Sequence, residues 1–576
     1  MHMRKSLLFL GLLLTIFSSA QNREKAYLIN EQLGKGINFG NMFEAPGETD
    51  WGNPWRPHYP QLVAELGFNH VRIPIRWEPE SRSSATAPYT INEAFLERIK
   101  QVVDSTLNNG LFAIINMHHH EALYENPEAQ KARFLAQWKQ ISEYFSHYPD
   151  SLLFEVLNEP HGNLTAEKWN TFLTDALRTI RTSNPERVVL IGTAEYGGLG
   201  GLQKLQLPDD ENIILTAHYY NPFTFTHQGA EWSEGAEAWL GTEWNDTETE
   251  RRVVQNDFAP LKAIELQKSI PVHIGEFGAY NKADLASRVR WTTYLARFIE
   301  SQGWSWAYWE FSAGFGIYNP ASSSFNPELI DALLTRQLPN PTSYVGTPVY
   351  SSEFIKTISD WQLHANNGAL AEASLSAGAL EINISEKGTE GWHIQLAKNN
   401  LALQAGEKYR LTFKAKAKQN RNATSYVGMS VSPWNSYSGY NNISLSDTFK
   451  VYSFIFDMTT TDNTARIVFD LGTDIPDVSI EYVLLEKVAL QYPTAVDNEQ
   501  LSSSLVFPNP LNEKLNIMNL NNFEQLTILN TNGQTLLQTR LAPQLNTIQL
   551  NKIPSGMYFV ILSSQNKRES IKIIKK

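Results

Sequence analysis

Two glutamates stand where short apolar runs end. In LLFEVLNEPHGN the run Leu153–Leu157 reads as a buried parallel strand, and it stops at Asn158-Glu159-Pro160. In HIGEFGAY the run Val272–Ile274 gives way to Gly275-Glu276, with Gly278 just beyond. One such carboxyl group could be only a charge favoured at the start of the next helix, worth roughly a few tenths of a kcal/mol. A pair at matching strand ends suggests more. Two carboxyl groups across one cleft are the minimum equipment for hydrolysing a glycosidic bond.

Other polar and aromatic groups fall at similar places. Asn41 and Glu44 follow the first apolar run in GKGINFGNMFEAP, and Arg72 lies inside HVRIPIRW, where a charged side chain needs a carboxylate partner. His118, His119 and His120 end INMHHHE. His218 and Tyr220 in AHYYNPF are two apart, hence on one side of an extended backbone. Trp309 closes WAYWEF. A lone buried Arg or His usually serves a structural network, but core stability alone asks for apolar residues at so many strand ends. The three histidines alternate faces and cannot all reach one ion, and no HExxH spacing is present. No metal and no other cofactor is expected.

The elements that must position these residues can be read from periodicity. Candidate strands are Gly36–Gly40, His70–Ile75, Phe112–Met117, Leu153–Leu157, Val188–Ile191, Ile213–His218, Val272–Ile274 and Ser305–Tyr308. Amphipathic stretches over Asn92–Leu107, Lys131–Phe145, Ala166–Thr182 and Asp284–Ser301 lie between them. This alternation predicts an α/β fold, a (β/α)8 TIM barrel over residues 21–338, with Glu159 and Glu276 at the carboxyl-end face. LPNPTSYVGTP reads as a linker over 339–348. Period-two runs then predict a β-sandwich over 349–492, a second linker over 493–501, and a small all-β module over 502–576, where Asn532-Gly533 signals a hairpin.

The bulk numbers agree. Among 576 residues there is no Cys, so thiol nucleophiles and disulfides are excluded. Arg4 and Lys5, the apolar run Leu7–Phe17 and Ser18-Ser19-Ala20 read as a secretory signal over residues 1–20. The formal net charge of −12 argues against a nucleic-acid partner. A secreted, soluble monomer is expected. The 15 Trp and 23 Tyr fill cores in most proteins and serve as sugar platforms in some.

Taken together, LNEP, GEFG, VRIPIRW, INMHH and HYYNPF resemble glycoside hydrolase family 5, retaining β-glycanases built on (β/α)8 barrels. GINFGNMFEAP, LNEPHGNLT, HYYNPFTFTHQGAEW and GWSWAYWEFSAGFG are similar to compact bacterial endoglucanases, some of which cleave both β-1,4-glucan and β-1,4-mannan. The resemblance runs over most of residues 26–336. It implies Glu159 as general acid/base, Glu276 as nucleophile, and Asn158 as the amide that holds the sugar 2-hydroxyl. Arg72 and Tyr220 match groups that hold the nucleophile. His118, His119 and His218 match that subsite, and Trp309 the floor beneath the cleaved ring. Asn41, Glu44, His227 and Trp232 match further substrate contacts. His120 departs from the pattern, where an aromatic such as Tyr is expected. The implied activity is an endo-β-1,4-glucanase on a polysaccharide; the alternatives are a β-mannanase, an enzyme for both polymers, or a catalytically dead glycan-binding adhesin. Double displacement requires carboxyl groups about 5–5.5 Å apart, with Glu159 raised in pKa and Glu276 kept ionised by a guanidinium.

The sandwich resembles carbohydrate-binding jelly rolls of families 4 and 9 through GWHIQL, AGEKYRLTFKAKA and VYSFIFDM. Trp434, Tyr437 and Tyr440 are its ring-stacking candidates, though packing under a loop would also account for them; Trp361 and Trp392 are expected in the core. The last module, with VFPNPLNEKLNI, NTNGQTL, SGMYFVIL and a basic tail ending at Lys576, resembles the C-terminal sorting domains of type IX secretion. That resemblance implies the secretion machinery as a partner and an extracellular or cell-surface location; an ordinary terminal β-module is the alternative.

Overall fold

The computed structural model describes residues 24–354, 358, 360–492 and 504–576, apart from 508–510, 512, 520–522, 532, 543 and 565–567. The expected signal segment, the second linker and Asn532 of the expected hairpin lie outside the described residues.

Strands β1 (Lys35–Asn38), β2 (His70–Ile73), β3 (Phe112–Asn116), β4 (Leu152–Glu155), β5 (Val189–Gly192), β6 (Ile213–His218), β7 (Val272–Glu276) and β8 (Ser305–Tyr308) form a closed parallel barrel in chain order. β8 returns to β1, with Gly36 opposite Ala307. These four- to six-residue runs are apolar because both faces of the sheet are covered. One end of the interior is apolar: a helix over residues 24–33 groups Ala26, Ile29 and Leu33 with Ile114, Leu153, Leu190 and Ile214. The other end holds Asn38, Arg72, Asn116 and Glu155, all buried.

Several strands end earlier than the apolar runs. The Asn116 carboxamide accepts the Ile75 N–H at 3.0 Å, so a side chain completes what a ladder would otherwise supply. The anticipated helices appear at Glu93–Asn108, Pro127–Tyr144, Ala166–Arg181 and Leu285–Ser301. Glu248–Lys268 is an additional helix with Pro260 inside it, which interrupts the helical reading. Its start is marked by a capping box between Thr247 and Glu250.

Residues 342–494 form a separate compact unit. Leu370–Ser376, Ala379–Glu386, Val478–Gln491, Lys408–Ala417 and Lys450–Asp457 make one antiparallel sheet. Gln362–Ala365, Ile394–Leu403, Asp462–Asp470, Arg421–Gly428 and Asn441–Leu445 make the other. Leu380, Ile382, Leu411 and Phe413 share one core with Ile394, Leu396, Ile467 and Phe469. The linker expected over 339–348 is corrected: Ser343–Glu353 is a strand paired along Val478–Gln491. Pro348 sits at a register shift in that outer strand, where a missing N–H is tolerated. Trp361 is in the core as expected, but Trp392 is not. It lies in the short turn Gly391–His393 and is 50% exposed, because the alternation that buries neighbouring strand residues stops before it.

The C-terminal segment contains a three-stranded and a four-stranded antiparallel sheet. Leu515, Ile517, Leu526, Ile528, Val560, Leu562 and Ile573 form its core. No helix among the described residues is long and apolar enough to cross a membrane.

Candidate active site

Arg72 on β2 organises the polar end of the barrel. Its five N–H groups all have partners. Nε donates to Glu155 Oε2 at 2.6 Å, and Nη2 donates to Glu155 Oε1 and Asn158 Oδ1, both at 2.8 Å. Nη1 donates to Glu276 Oε1 at 2.7 Å and to Asn38 Oδ1 at 2.9 Å. A buried guanidinium would be destabilising without such partners. The arrangement fixes the ends of β4 and β7 relative to each other, since Glu155 belongs to one and Glu276 to the other.

The remaining bonds to Glu276 come from β6 and its following loop. Tyr220 Oη donates to Glu276 Oε2 at 2.9 Å. His218 Nδ1 lies 2.7 Å from Glu159 Oε1 and 3.6 Å from Glu276 Oε2. The ligand-capable atoms of Glu159, His218 and Glu276 all lie within 4.8 Å of one another. Among the described residues this group has the spacing of a metal site. The 2.7 Å separation of His218 and Glu159 is a hydrogen bond, however, shorter than the about 3.3 Å between neighbouring ligands on a tetrahedral ion.

Burial is the largest influence on all three groups, and their neighbours decide the outcome. Glu276 is raised above the ordinary carboxylate value: burial outweighs the pull of His218 and Arg72, and the charge of Glu159 adds to it. Glu159 is lowered, since the hydrogen bond and charge of His218, then His119 and Arg72, overcome its burial. His218 is raised, because the two carboxylates outweigh desolvation. This reverses the order expected from sequence for the two glutamates. The reason is that the nearest neighbour of Glu159 is an imidazole rather than an apolar wall.

His118 Nδ1 is 3.1 Å from Asn116 Nδ2, and its ring stacks on Trp309 with centroids 6.1 Å apart. His119 packs edge-on against His118 and Trp51. His120 points elsewhere and is fully buried, so it offers no surface to a ligand. Asn41, His119 and Glu159 all have left-handed backbones, with φ of 61°, 50° and 45°, a concentration of strain common at functional sites. Glu44 is corrected as a substrate contact: it is buried, and its carboxyl accepts the N–H groups of Asn41 and Met42, folding the loop after β1. Burial raises its pKa to about 8.

A cleft of about 1060 Å³ runs from Glu159 past Tyr196, His218, Tyr220 and His227 to Trp232. His227 stacks on Phe223 at 4.0 Å and meets Tyr220 edge-on, while Trp232 is 61% exposed. Sequence reasoning missed Glu155, Asn38, Tyr124, His161 and Tyr196. Glu155 was findable: it is a charge inside an apolar run, and Arg72 demanded a partner.

In the sandwich, Trp434 is 48% and Tyr440 61% exposed. Arg466 lies 4.8 Å from the Trp434 ring centroid and donates to Gln395 at 2.8 Å, and Gln395 donates to Asp470 at 2.8 Å. These three residues alternate with core residues Ile394, Ile467 and Phe469, so they share the outward face of their sheet. Tyr437 is corrected as an open platform: it packs against the core, and its hydroxyl donates to Asp462 at 2.9 Å.

A closed parallel barrel with two carboxyl groups at its carboxyl-end face is the architecture of a barrel glycosidase. The family model described as cellulase (glycosyl hydrolase family 5) matches residues 33–314. A model for a carbohydrate binding domain matches 348–478, and one for a secretion system C-terminal sorting domain matches 505–576. Solved structures of Thermotoga maritima Cel5A are similar, one described with mannotriose at 46% identity and one with cellobiose at 47%; each has a TM-score of 0.53 and covers 54% of this chain and 100% of that one. Endoglucanase A of Ruminococcus albus is 30% identical over 53% of this chain and 90% of its own. Endoglucanase H of Acetivibrio thermocellus is 35% identical over 58% of this chain, which spans only 35% of that relative's length. The chain belongs to glycosyl hydrolase family 5.

Proposed function

We propose that the protein is an extracellular, retaining endo-β-1,4-glycanase acting on β-1,4-glucan. The observation that carries this reading is the approach of Glu159 and Glu276 oxygens to within 4.8 Å across one imidazole nitrogen. That spacing suits a retaining pair at about 5–5.5 Å and leaves no room for the water of an inverting site, at roughly 6.5–9.5 Å.

Glu276, held by Arg72 and Tyr220, attacks the anomeric carbon. Glu159 gives a proton to the departing glycosidic oxygen, and a glycosyl-enzyme forms. His218 Nδ1, 2.7 Å from Glu159, is in hydrogen-bond contact with the carboxyl that carries this proton and is positioned to exchange it. Glu159 then takes a proton from the water that hydrolyses the intermediate. Asn158, oriented by Arg72, is placed for the 2-hydroxyl, and Trp309 for the ring above it.

Reducing-sugar release from carboxymethyl cellulose, barley β-glucan and glucomannan tests the substrate, and proton NMR of the first-formed anomer tests retention. Glu276→Ala should abolish turnover; substantial activity in that variant defeats the nucleophile assignment. Mannan hydrolysis is a second reading, favoured by the similarity to a Cel5A described with mannotriose. A dead adhesin would bind glycans without turnover. The sandwich is proposed to hold the polysaccharide near the cleft, raising its local concentration. The C-terminal module is proposed to address the enzyme to type IX secretion.

A further inference from the structure

We infer that Thr216, two residues before His218 on β6, is a positioning residue that holds the His218 imidazole through a water seated beside Gly275; this rests on the retaining-pair reading above. The two side chains meet over one glycine. A Cβ on Gly275 of β7 would lie 2.8 Å from Thr216 Oγ1 and 3.2 Å from His218 Nε2. A side chain there would push both atoms aside, so glycine is required where GEFG places it. The space it leaves is bounded by a hydroxyl and an imidazole nitrogen, surroundings that suit a water rather than an apolar group.

The hydroxyl is aimed there by its own neighbours. Gly192 of β5 stands opposite Thr216, and a Cβ on it would lie 3.6 Å from Thr216 Cγ2. The methyl therefore takes the β5 side and the hydroxyl the β7 side. Thr216 is 2% exposed, and its Oγ1 has no hydrogen-bond partner among the described residues. A buried hydroxyl left without a partner is destabilising, so stability alone favours Val at this position. The reason for Thr lies two residues further on.

His218 commits Nδ1 to Glu159 at 2.7 Å, so the ring is steadied by whatever meets Nε2. An imidazolium donates from Nε2, whereas the neutral ring with its proton on Nδ1 accepts there. A water backed by a hydroxyl serves either state, because both can donate and accept. Thr216 thus keeps the ring in place while its proton is exchanged with Glu159. The charged and titratable groups that face His218 are Glu155 on β4, Glu159 after it, Glu276 and His273 on β7, Arg72 on β2 and His118 after β3.

The test compares wild type, Thr216→Val and Thr216→Ser by two readouts. One is the pH profile of kcat on carboxymethyl cellulose; the other is a 15N NMR titration of the His218 imidazole, assigned by its loss in His218→Asn. Thr216→Val puts a methyl where the hydroxyl was, which disfavours the charged ring. The alkaline limb and the imidazole midpoint should both fall by about one pH unit, with KM unchanged because Thr216 is buried. Thr216→Ser should restore both, and Thr216→Ala replaces Thr216→Val if the latter does not fold. High-resolution diffraction should place a water within hydrogen-bond distance of Thr216 Oγ1 and His218 Nε2, lost in Thr216→Val. An unmoved midpoint in Thr216→Val, a Thr216→Ser midpoint displaced as far as that of Thr216→Val, or the lack of such a water each overturns the inference. Wild type inactive on glucans would defeat the glucanase reading separately, and the NMR midpoints would still decide the role of Thr216.

Discussion

The barrel and the sandwich handle polar groups in opposite ways. In the barrel, Arg72, Glu155 and Glu276 are buried at the ends of strands and satisfy one another directly. In the sandwich, Gln395 and Asp470 are half-buried on the outward face of a sheet, and Arg466, 8% exposed, is covered there beside a half-exposed Trp434. Buried charges carry a desolvation penalty that only exact partners offset, whereas a sheet face keeps water within reach. The difference teaches where each region is fragile. Removing Glu155 or Glu276 from the barrel strands a buried charge; removing Gln395 or Asp470 from the sandwich leaves partners that water can still reach.

The largest contrast should come from Glu155→Ala. It leaves Arg72 without its bidentate partner, so urea midpoints should report a loss of about 3–5 kcal/mol in the barrel. A midpoint equal to wild type would show that the network is not a stability unit. Glu155→Gln should keep most of the fold while lowering the acid limb of the pH–rate profile, since one negative charge near Glu276 is gone.

Next comes Glu310, whose buried carboxyl accepts the N–H groups of Ser312, Ala313 and Phe315 and is raised to about 7. A carboxyl raised in the folded state contributes stability below its unfolded value near 4.5 and loses it as pH rises through 7. Glu310→Gln should therefore gain on wild type by up to about 3 kcal/mol at pH 8, with the gain vanishing near pH 4.5. A gap that does not change with pH in thermal melts would refute the assignment.

His218→Asn should lower kcat about 10–100-fold. Its wild-type pKa is raised, so the alkaline limb of activity lies above 6.5, and the variant should move that limb to lower pH. An unmoved limb would take His218 out of the proton path. The smallest effects belong to the sandwich. Trp434→Ala and Trp392→Ala should each weaken retention on insoluble cellulose about tenfold, with thermal stability changed by no more than about 0.5 kcal/mol. Loss from Trp434→Ala alone would assign the platform to the sheet face beside Arg466, and loss from Trp392→Ala alone to the turn Gly391–His393.

Much of the barrel was legible because its strands are short apolar runs and its helices show a 3.6-residue stripe. Glu159, Glu276, Arg72, His218 and Tyr220 were legible because they break those runs at repeating places. Glu248–Lys268 was obscured by Pro260, and the strand Ser343–Glu353 by Pro339, Pro341 and Pro348, which read as a linker. Trp392 resembled a core residue because composition does not register where a strand's alternation stops.

What the chain order alone established is the succession of elements and the kinds of group at their ends, since periodicity and residue type are local properties. Which neighbours those groups would meet was decided only by closure of the barrel. Closure sets Glu155 beside Arg72, places His218 between the two catalytic candidates, and buries Glu44 in its own loop. Because a proton's preference depends on every charge and donor within a few ångströms, the balance among Glu159, His218 and Glu276 is a property of the assembled barrel.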